Sequence, residues 1–300
     1  MNTCNTLKLT TLAAATLLAT LGGAAQATEG GGGVYPNGNE NYLAGALPPP
    51  GTYFLTYASR YEASTLRDNS GNKIPLNFNV QADALALRVV RVTDQKIWGG
   101  QLLFHAVAPL VNLKVQVGTA NGNTAGLADV VFGTGLGYHA SEKLHYVWAV
   151  DVTAPTGSYD NNKLANLSRN YWNIEPVFAL TYVQPTGINA DVKVMYDFNG
   201  VNSATNYRSG QELHADYSVG WALGNGWTVG IGGFIYQQTT DDQQNGATVA
   251  NNKGRAYAVG PSIKYDSGKG WFLTAKFEQE YAVLNRAEGS SFKIKALLPF

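Results

Sequence analysis

From Ser291 to Ala296 the chain alternates polar and apolar residues, and the apolar parity runs on to the last residue: Phe292, Ile294, Ala296, Leu298 and Phe300 fall on one parity, and Ser291, Lys293 and Lys295 on the other. A repeat of two is the repeat of a β-strand, whose successive side chains leave opposite faces. One face here is apolar along its whole length and the other carries two lysines, so the strand divides a dry side from a wet one. The same pattern recurs upstream in Thr52 to Leu66, Asn77 to Thr93, Ile97 to Leu110, Gly126 to Ala140, Leu144 to Pro155 and Tyr171 to Gln184. It continues in Ile188 to Asn199, Gly210 to Leu223, Trp227 to Thr239, Gly254 to Asp266 and Trp271 to Asn285, which with the closing strand makes twelve. In Leu144 to Pro155, for example, Leu144, Tyr146, Trp148, Val150 and Val152 oppose His145, Asp151 and Thr153.

The connections sort by length. Asp94 to Lys96, Ser141 to Lys143, Pro185 to Gly187, Gly224 to Gly226 and Ser267 to Gly270 are tight turns, with Gly, Asn, Pro and Ser supplying the turn conformations. They alternate with longer polar stretches at Arg67 to Leu76, Val111 to Ala125, Gly157 to Asn170, Gly200 to Ser209 and Thr240 to Lys253. Strict alternation of short and long connections is the pattern of an antiparallel barrel that crosses a membrane, with short turns on the periplasmic side and longer loops outside. Segments of roughly ten residues or a little more are long enough to cross the apolar band at the usual tilt. The expected fold is therefore all-β, a transmembrane antiparallel β-barrel of about twelve strands over residues 51–300, with both termini in the periplasm. Trp148, Trp172, Trp221, Trp227 and Trp271 fall on outward parity or at strand ends, as an interfacial girdle requires.

Composition bears on compartment and partners. With 21 basic and 21 acidic residues in 300, the chain offers no polybasic field for nucleic acid. Lys8, the apolar run from Leu12 to Leu21 and the small-x-small site Ala25-Gln26-Ala27 predict a signal peptide over residues 1–27. The one cysteine, Cys4, falls inside it, so the secreted chain has neither disulfide nor thiol chemistry. Residues 28–50 are rich in Gly and end in Pro48-Pro49-Pro50. They show no strand or helix period and fit either a periplasmic extension or a plug in the lumen, with Tyr35, Tyr42 and Leu43 available for docking.

The residues expected to line the interior are Arg60, Glu62, Arg88, His105, Asp129, His145, Asp151, Glu175, Asp191, Lys193, Asp197, Glu212, His214, Asp216, Lys264, Lys276, Glu278, Glu280, Lys293 and Lys295. They mix both signs, which argues against a strongly ion-selective pore. A twelve-stranded barrel is intermediate between filled and open ones, so the lumen can be narrow. Lys293 and Lys295 are expected to reach Glu278 and Glu280 on the preceding strand. No Gly-x-Ser-x-Gly elbow accompanies any histidine, and His105, His145 and His214 have lumen parity, so neither catalysis nor a cofactor is expected. Asp241-Asp242 reads as a solvated loop pair rather than a calcium site.

Seven segments carry a family resemblance. They are Pro48-Pro49-Pro50-Gly51-Thr52-Tyr53, Gly126-Leu127-Ala128-Asp129, Pro155-Thr156-Gly157-Ser158-Tyr159-Asp160, Tyr171-Trp172-Asn173-Ile174-Glu175-Pro176, Tyr196-Asp197-Phe198-Asn199, Tyr207-Arg208-Ser209-Gly210 and Gly260-Pro261-Ser262-Ile263-Lys264-Tyr265. In this order the chain resembles the outer-membrane proteins of the meta-pathway of phenol degradation. The resemblance implies a monomeric barrel in the bacterial outer membrane that admits small, often aromatic or hydrophobic, low-charge solutes. Likeness to outer-membrane barrels in general makes the terminal Phe300 the signal read by the barrel assembly machinery. The alternatives are a partner-binding barrel with a sealed lumen and an embedded lipid hydrolase.

Overall fold

The computed structural model describes residues 31–298, and the side chain of Leu298 is outside that description. The expected signal peptide, Cys4 and the assembly residue Phe300 lie outside the described residues. The strands are β1 (Gly51–Leu66), β2 (Phe78–Ile97), β3 (Gly100–Val117), β4 (Ala120–Leu127), β5 (Val130–His139), β6 (Leu144–Ala154), β7 (Asn173–Tyr182) and β8 (Thr186–Asn199). There follow β9 (Val201–Asn202), β10 (Tyr207–Arg208), β11 (Glu212–Leu223), β12 (Trp227–Gln238), β13 (Asp242–Gln244), β14 (Ala247–Val249), β15 (Arg255–Asp266), β16 (Phe272–Leu284) and β17 (Ala287–Leu298).

Twelve long strands close into an antiparallel barrel. β1 pairs with β2 on one side and with β17 on the other, Tyr57 standing opposite Ala86 and Lys295. Closure leaves no open edge, which is what allows strands to stand in hydrocarbon. β4 and β5 act as one strand broken at Ala128 and Asp129, β3 pairing with β4 through its outer half and with β5 through its inner half.

Three connections differ from the sequence reading. Residues 94–96 continue β2, and the chain reverses at Trp98 and Gly99, whose φ angles of 50° and 80° are the positive pair that a two-residue hairpin requires. The expected loop from Val111 to Ala125 is a hairpin, β3–β4, turning at Gly118 and Thr119. Its alternation is inverted in character: Val111, Leu113, Val115 and Val117 line the interior, and the opposite parity is Asn112, Lys114 and Gln116. That inversion marks a wall standing above the lipid. The outermost connection of β16–β17 is only Asn285 and Arg286.

The outer loops are themselves folded, with β9, β10, β13 and β14 in a four-stranded sheet. Asp242 pins it, accepting from Tyr207 Oη at 2.6 Å, Gly210 N at 2.6 Å, Gln238 Nε2 at 2.8 Å and Asn252 Nδ2 at 2.6 Å. The residue read as a solvated loop acid is thus buried and fully hydrogen-bonded. On the lipid side the exposed large side chains include Phe104, Phe132, Trp148, Ile174, Phe198, Trp221 and Ile231. Near the short turns, Tyr265 lies 4.8 Å from Trp227 and 5.5 Å from Trp271, and Tyr138 stacks on Tyr146 at 4.8 Å. Such a ring suits the membrane–water interface, where one end of an aromatic is apolar and the other wet.

Candidate functional site: an occupied lumen

Residues 31–47 run through the barrel interior. At the periplasmic end Leu47 packs where Gly137 leaves room, since a side chain at 137 would strike it. Gly45 N donates to Thr181 Oγ1 at 2.8 Å and Ala44 N to Asp191 at 3.0 Å, while Thr181 itself bonds Asp191. Tyr42, fully buried, fits a dent made by the cross-strand pair Gly220 and Gly230, where any Cβ would meet its hydroxyl. Asn41 accepts from Ser262 Oγ at 2.9 Å. Asp216 takes three donors from the segment, Tyr35 Oη at 2.6 Å, Gly38 N at 2.8 Å and Glu40 N at 2.8 Å. Nearest the outer mouth, Arg169 of the β6–β7 loop donates to Gly33 O at 3.3 Å. The first described residues therefore lie at the outer end, which corrects the expectation of a periplasmic amino terminus for this part of the chain.

Glu40 is the hub of the segment. Its carboxylate accepts from Lys295 at 2.9 Å, Arg88 at 3.3 Å and Tyr57 Oη at 3.0 Å, and its carbonyl accepts from Lys276 at 2.8 Å. Lys295 also donates to Tyr42 O at 2.8 Å. Lys295 thus bonds the interior segment instead of a carboxylate on β16. Lys293 does reach Glu278, at 2.7 Å, as expected, and also bonds Asn37 O.

The other expected interior residues distribute as follows. Lys276 pairs with Glu278 at 2.8 Å, and Glu280 accepts from Tyr61 Oη at 2.9 Å and Gly289 N at 2.7 Å. His105 lies 2.9 Å from Asp151, and Lys193 stands 4.7 Å from the centre of the Tyr35 ring. Lys264 is buried 6.0 Å from the Tyr42 ring. Asp129 holds the β6–β7 loop through Gly157 N at 3.0 Å and Arg169 N at 2.9 Å. His145 is at the periplasmic rim, its Nδ1 2.7 Å from Nδ1 of His139. Asp197, Glu212 and His214 converge in one buried group.

Arg60 and Glu62 are the exceptions. They pair with each other at 2.6 Å on the outside of the barrel, with more than half of each side chain exposed. The parity of β1 is set by Tyr57 and Tyr61, whose hydroxyls reach Glu40 and Glu280 inside, and that turns the even positions outward. Sequence reasoning missed Tyr57, Tyr61, Glu40 and Asn37. The inward glycines 137, 220 and 230 were the available signal that something packs against the wall.

The segment leans on β8, β11 and β15 to β17 and leaves a cavity of about 1550 Å³ along the opposite wall. That free wall is built of small and apolar residues, Ala82, Ala84, Ala86, Val107, Val111 and Val131, with Arg88, His105 and Asp151 also on its lining. Towards the short turns Val90, Val92, Leu103, Val147 and Ala179 form a buried knot with Ala44 and Leu47 of the segment.

Residues 63–296 match the family described as "Putative MetA-pathway of phenol degradation". The chain belongs to this family. Among solved structures it is similar to the COG4313 outer membrane channel from Pseudomonas putida F1, at 18% identity and a TM-score of 0.75, over 87% of this chain and 99% of that one. The translocator domain of the autotransporter NalP from Neisseria meningitidis aligns over 85% of this chain and 91% of its own, at 12% identity and a TM-score of 0.48. No curated protein matches significantly in sequence. This family member is accordingly an outer-membrane barrel. Its interior segment precedes the stretch that carries the family match.

Proposed function

We propose that this outer-membrane barrel is a channel for small, uncharged, apolar or aromatic solutes, held shut at its periplasmic end by residues 31–47. The observation that carries the reading is the division of the lumen. Much of the interior charge is engaged by the interior segment or by ion pairs, and the unfilled path beside it runs along a wall of Ala and Val side chains where Arg88 is paired with Glu40 and His105 with Asp151. Apolar solutes gain from such a wall, since each buried CH₂ is worth about 0.8 kcal/mol. Small hydrophilic solutes find few free partners there. Passage then requires the knot around Leu47 to open.

Ala84→Trp tests the path. An indole added at the inner wall narrows the path at that level while leaving the barrel ladder and the interior segment untouched. Uptake of an uncharged aromatic compound, by cells whose outer membrane carries the variant, should fall by about fivefold or more, because a lumen of this strand number has little width to spare. Unchanged uptake, with normal amounts of folded barrel, contradicts the path.

The same knot favours a second reading, a barrel that is permanently sealed and acts through its folded outer loops. In that case neither Ala84→Trp nor loss of the interior segment alters permeability. The hydrolase reading loses its geometry: His105 and His214 are buried inside the barrel, and His145 sits at its periplasmic rim rather than at the outer lipid edge.

A further inference from the structure

His214 is fully buried on β11, and its two ring nitrogens have different neighbours. Nδ1 lies 2.6 Å from Asn37 Oδ1, an acceptor, so Nδ1 carries a proton. Nε2 faces two carboxylates, Asp197 Oδ2 at 2.8 Å and Glu212 Oε2 at 3.4 Å. Asp197 and Glu212 stand directly opposite each other in the β8–β11 ladder, with His214 two residues along on the same face.

These atoms are close but not hydrogen-bonded. Both oxygens of Asp197, Oε2 of Glu212 and Nε2 of His214 have no hydrogen-bond partner among the described residues, although Asp197, Glu212 and His214 are buried completely. The short Nε2 to Oδ2 approach is an ion-pair distance in which the ring N–H direction misses the oxygen. Glu175 and Asn173 lie beside Asp197, and Glu175 adds a further carboxylate. Buried carboxylates in this density require a compensating cation.

We propose that Asp197, Glu212 and His214 bind one divalent transition-metal ion, zinc being the ion that this mixture of imidazole nitrogen and carboxylate oxygen suits best. The surroundings are those of a metal site. A ligating histidine donates its other ring N–H to an oxygen, which Asn37 provides. The remaining oxygen of Glu212 accepts from Tyr236 Oη at 2.9 Å. Since Asn37 belongs to the interior segment, the ion also clips that segment to the wall near the outer mouth.

The test uses full-length protein folded in detergent, stripped with EDTA and titrated with Zn²⁺ alone, with bound metal counted by mass spectrometry and Co²⁺ as the spectroscopic probe. His145→Ala is included in every sample so that the exposed His139–His145 pair contributes nothing. The expected result is one retained Zn²⁺ and a visible Co²⁺ spectrum of a low-symmetry site. Asp197→Asn and Glu212→Gln should each weaken binding by at least about tenfold, and Asn37→Ala, which removes only the outer partner of the histidine, by about tenfold. Asn37 lies off the barrel ladder, so its substitution keeps the test valid if a ligand variant fails to fold, as judged by heat-modifiable migration on gels. Folded protein that retains no Zn²⁺ and gives no Co²⁺ spectrum overturns the site. Binding that is unaltered in folded Asp197→Asn or in Asn37→Ala overturns it too.

Discussion

Deleting residues 31–47 should turn a nearly silent barrel into a conducting one. In planar bilayers the single-channel conductance of the deletion is expected to rise by about tenfold or more, because a twelve-stranded barrel emptied of its filling has an aqueous lumen. The barrel should survive the loss, since its strands are bound to one another by an unbroken ladder that closes β1 on β17 without any help from the segment. The side chains left behind, Lys295, Lys276, Arg88 and Asp216 among them, are then hydrated by the water that enters. A sealed barrel behaves differently: if ion pairs of the wall such as Lys293–Glu278 and His105–Asp151 close the lumen, conductance does not change.

Glu40→Ala should release the segment without deleting it. The carboxylate neutralises Lys295, which is almost wholly buried, and Arg88, which is about a fifth exposed. Removing one partner of a buried charge pair typically costs about 3–5 kcal/mol, because the other charge remains without compensation. The backbone contacts of the segment to Asp216 and Asp191 are unaffected, so the expected outcome is a mixture of seated and unseated segments. Limited proteolysis should cut residues 31–47 at least about tenfold faster than in the parent protein, at 1.4 kcal/mol per tenfold change in population, with the barrel itself still resistant. Equal cleavage rates in the two proteins contradict the role assigned to Glu40.

The barrel was legible because a strand's period is local. Leu144 to Pro155 or Ser291 to Phe300 can be read from ten residues, and the alternation of short and long connections adds the topology. What could not be read was where the lipid ends. Arg60, Glu62 and the even positions of β3 above Leu110 are polar on the outward parity because those strands rise clear of the apolar band, so charge alone does not mark the lumen. Inward parity in β1 is fixed by Tyr57 and Tyr61, whose partners lie on the interior segment and on β16. The segment has no period of its own, and the partners of Glu40 on β2 and β17 are 48 and 255 residues away. The meeting of Asp197, Glu212 and His214 likewise depends on the register of β8 against β11, which the folded loop between them sets.

If solutes pass through this lumen only when the segment yields, a reversible lock between segment and wall should stop and restore transport. A Cβ placed on residue 137 would stand 3.4 Å from Cβ of Leu47, close to the spacing of a disulfide. In the double variant Leu47→Cys, Gly137→Cys, uptake of an uncharged aromatic compound should be abolished under oxidising conditions and restored by a reductant. Transport that continues unchanged with the disulfide formed would mean that solutes do not need the segment to move.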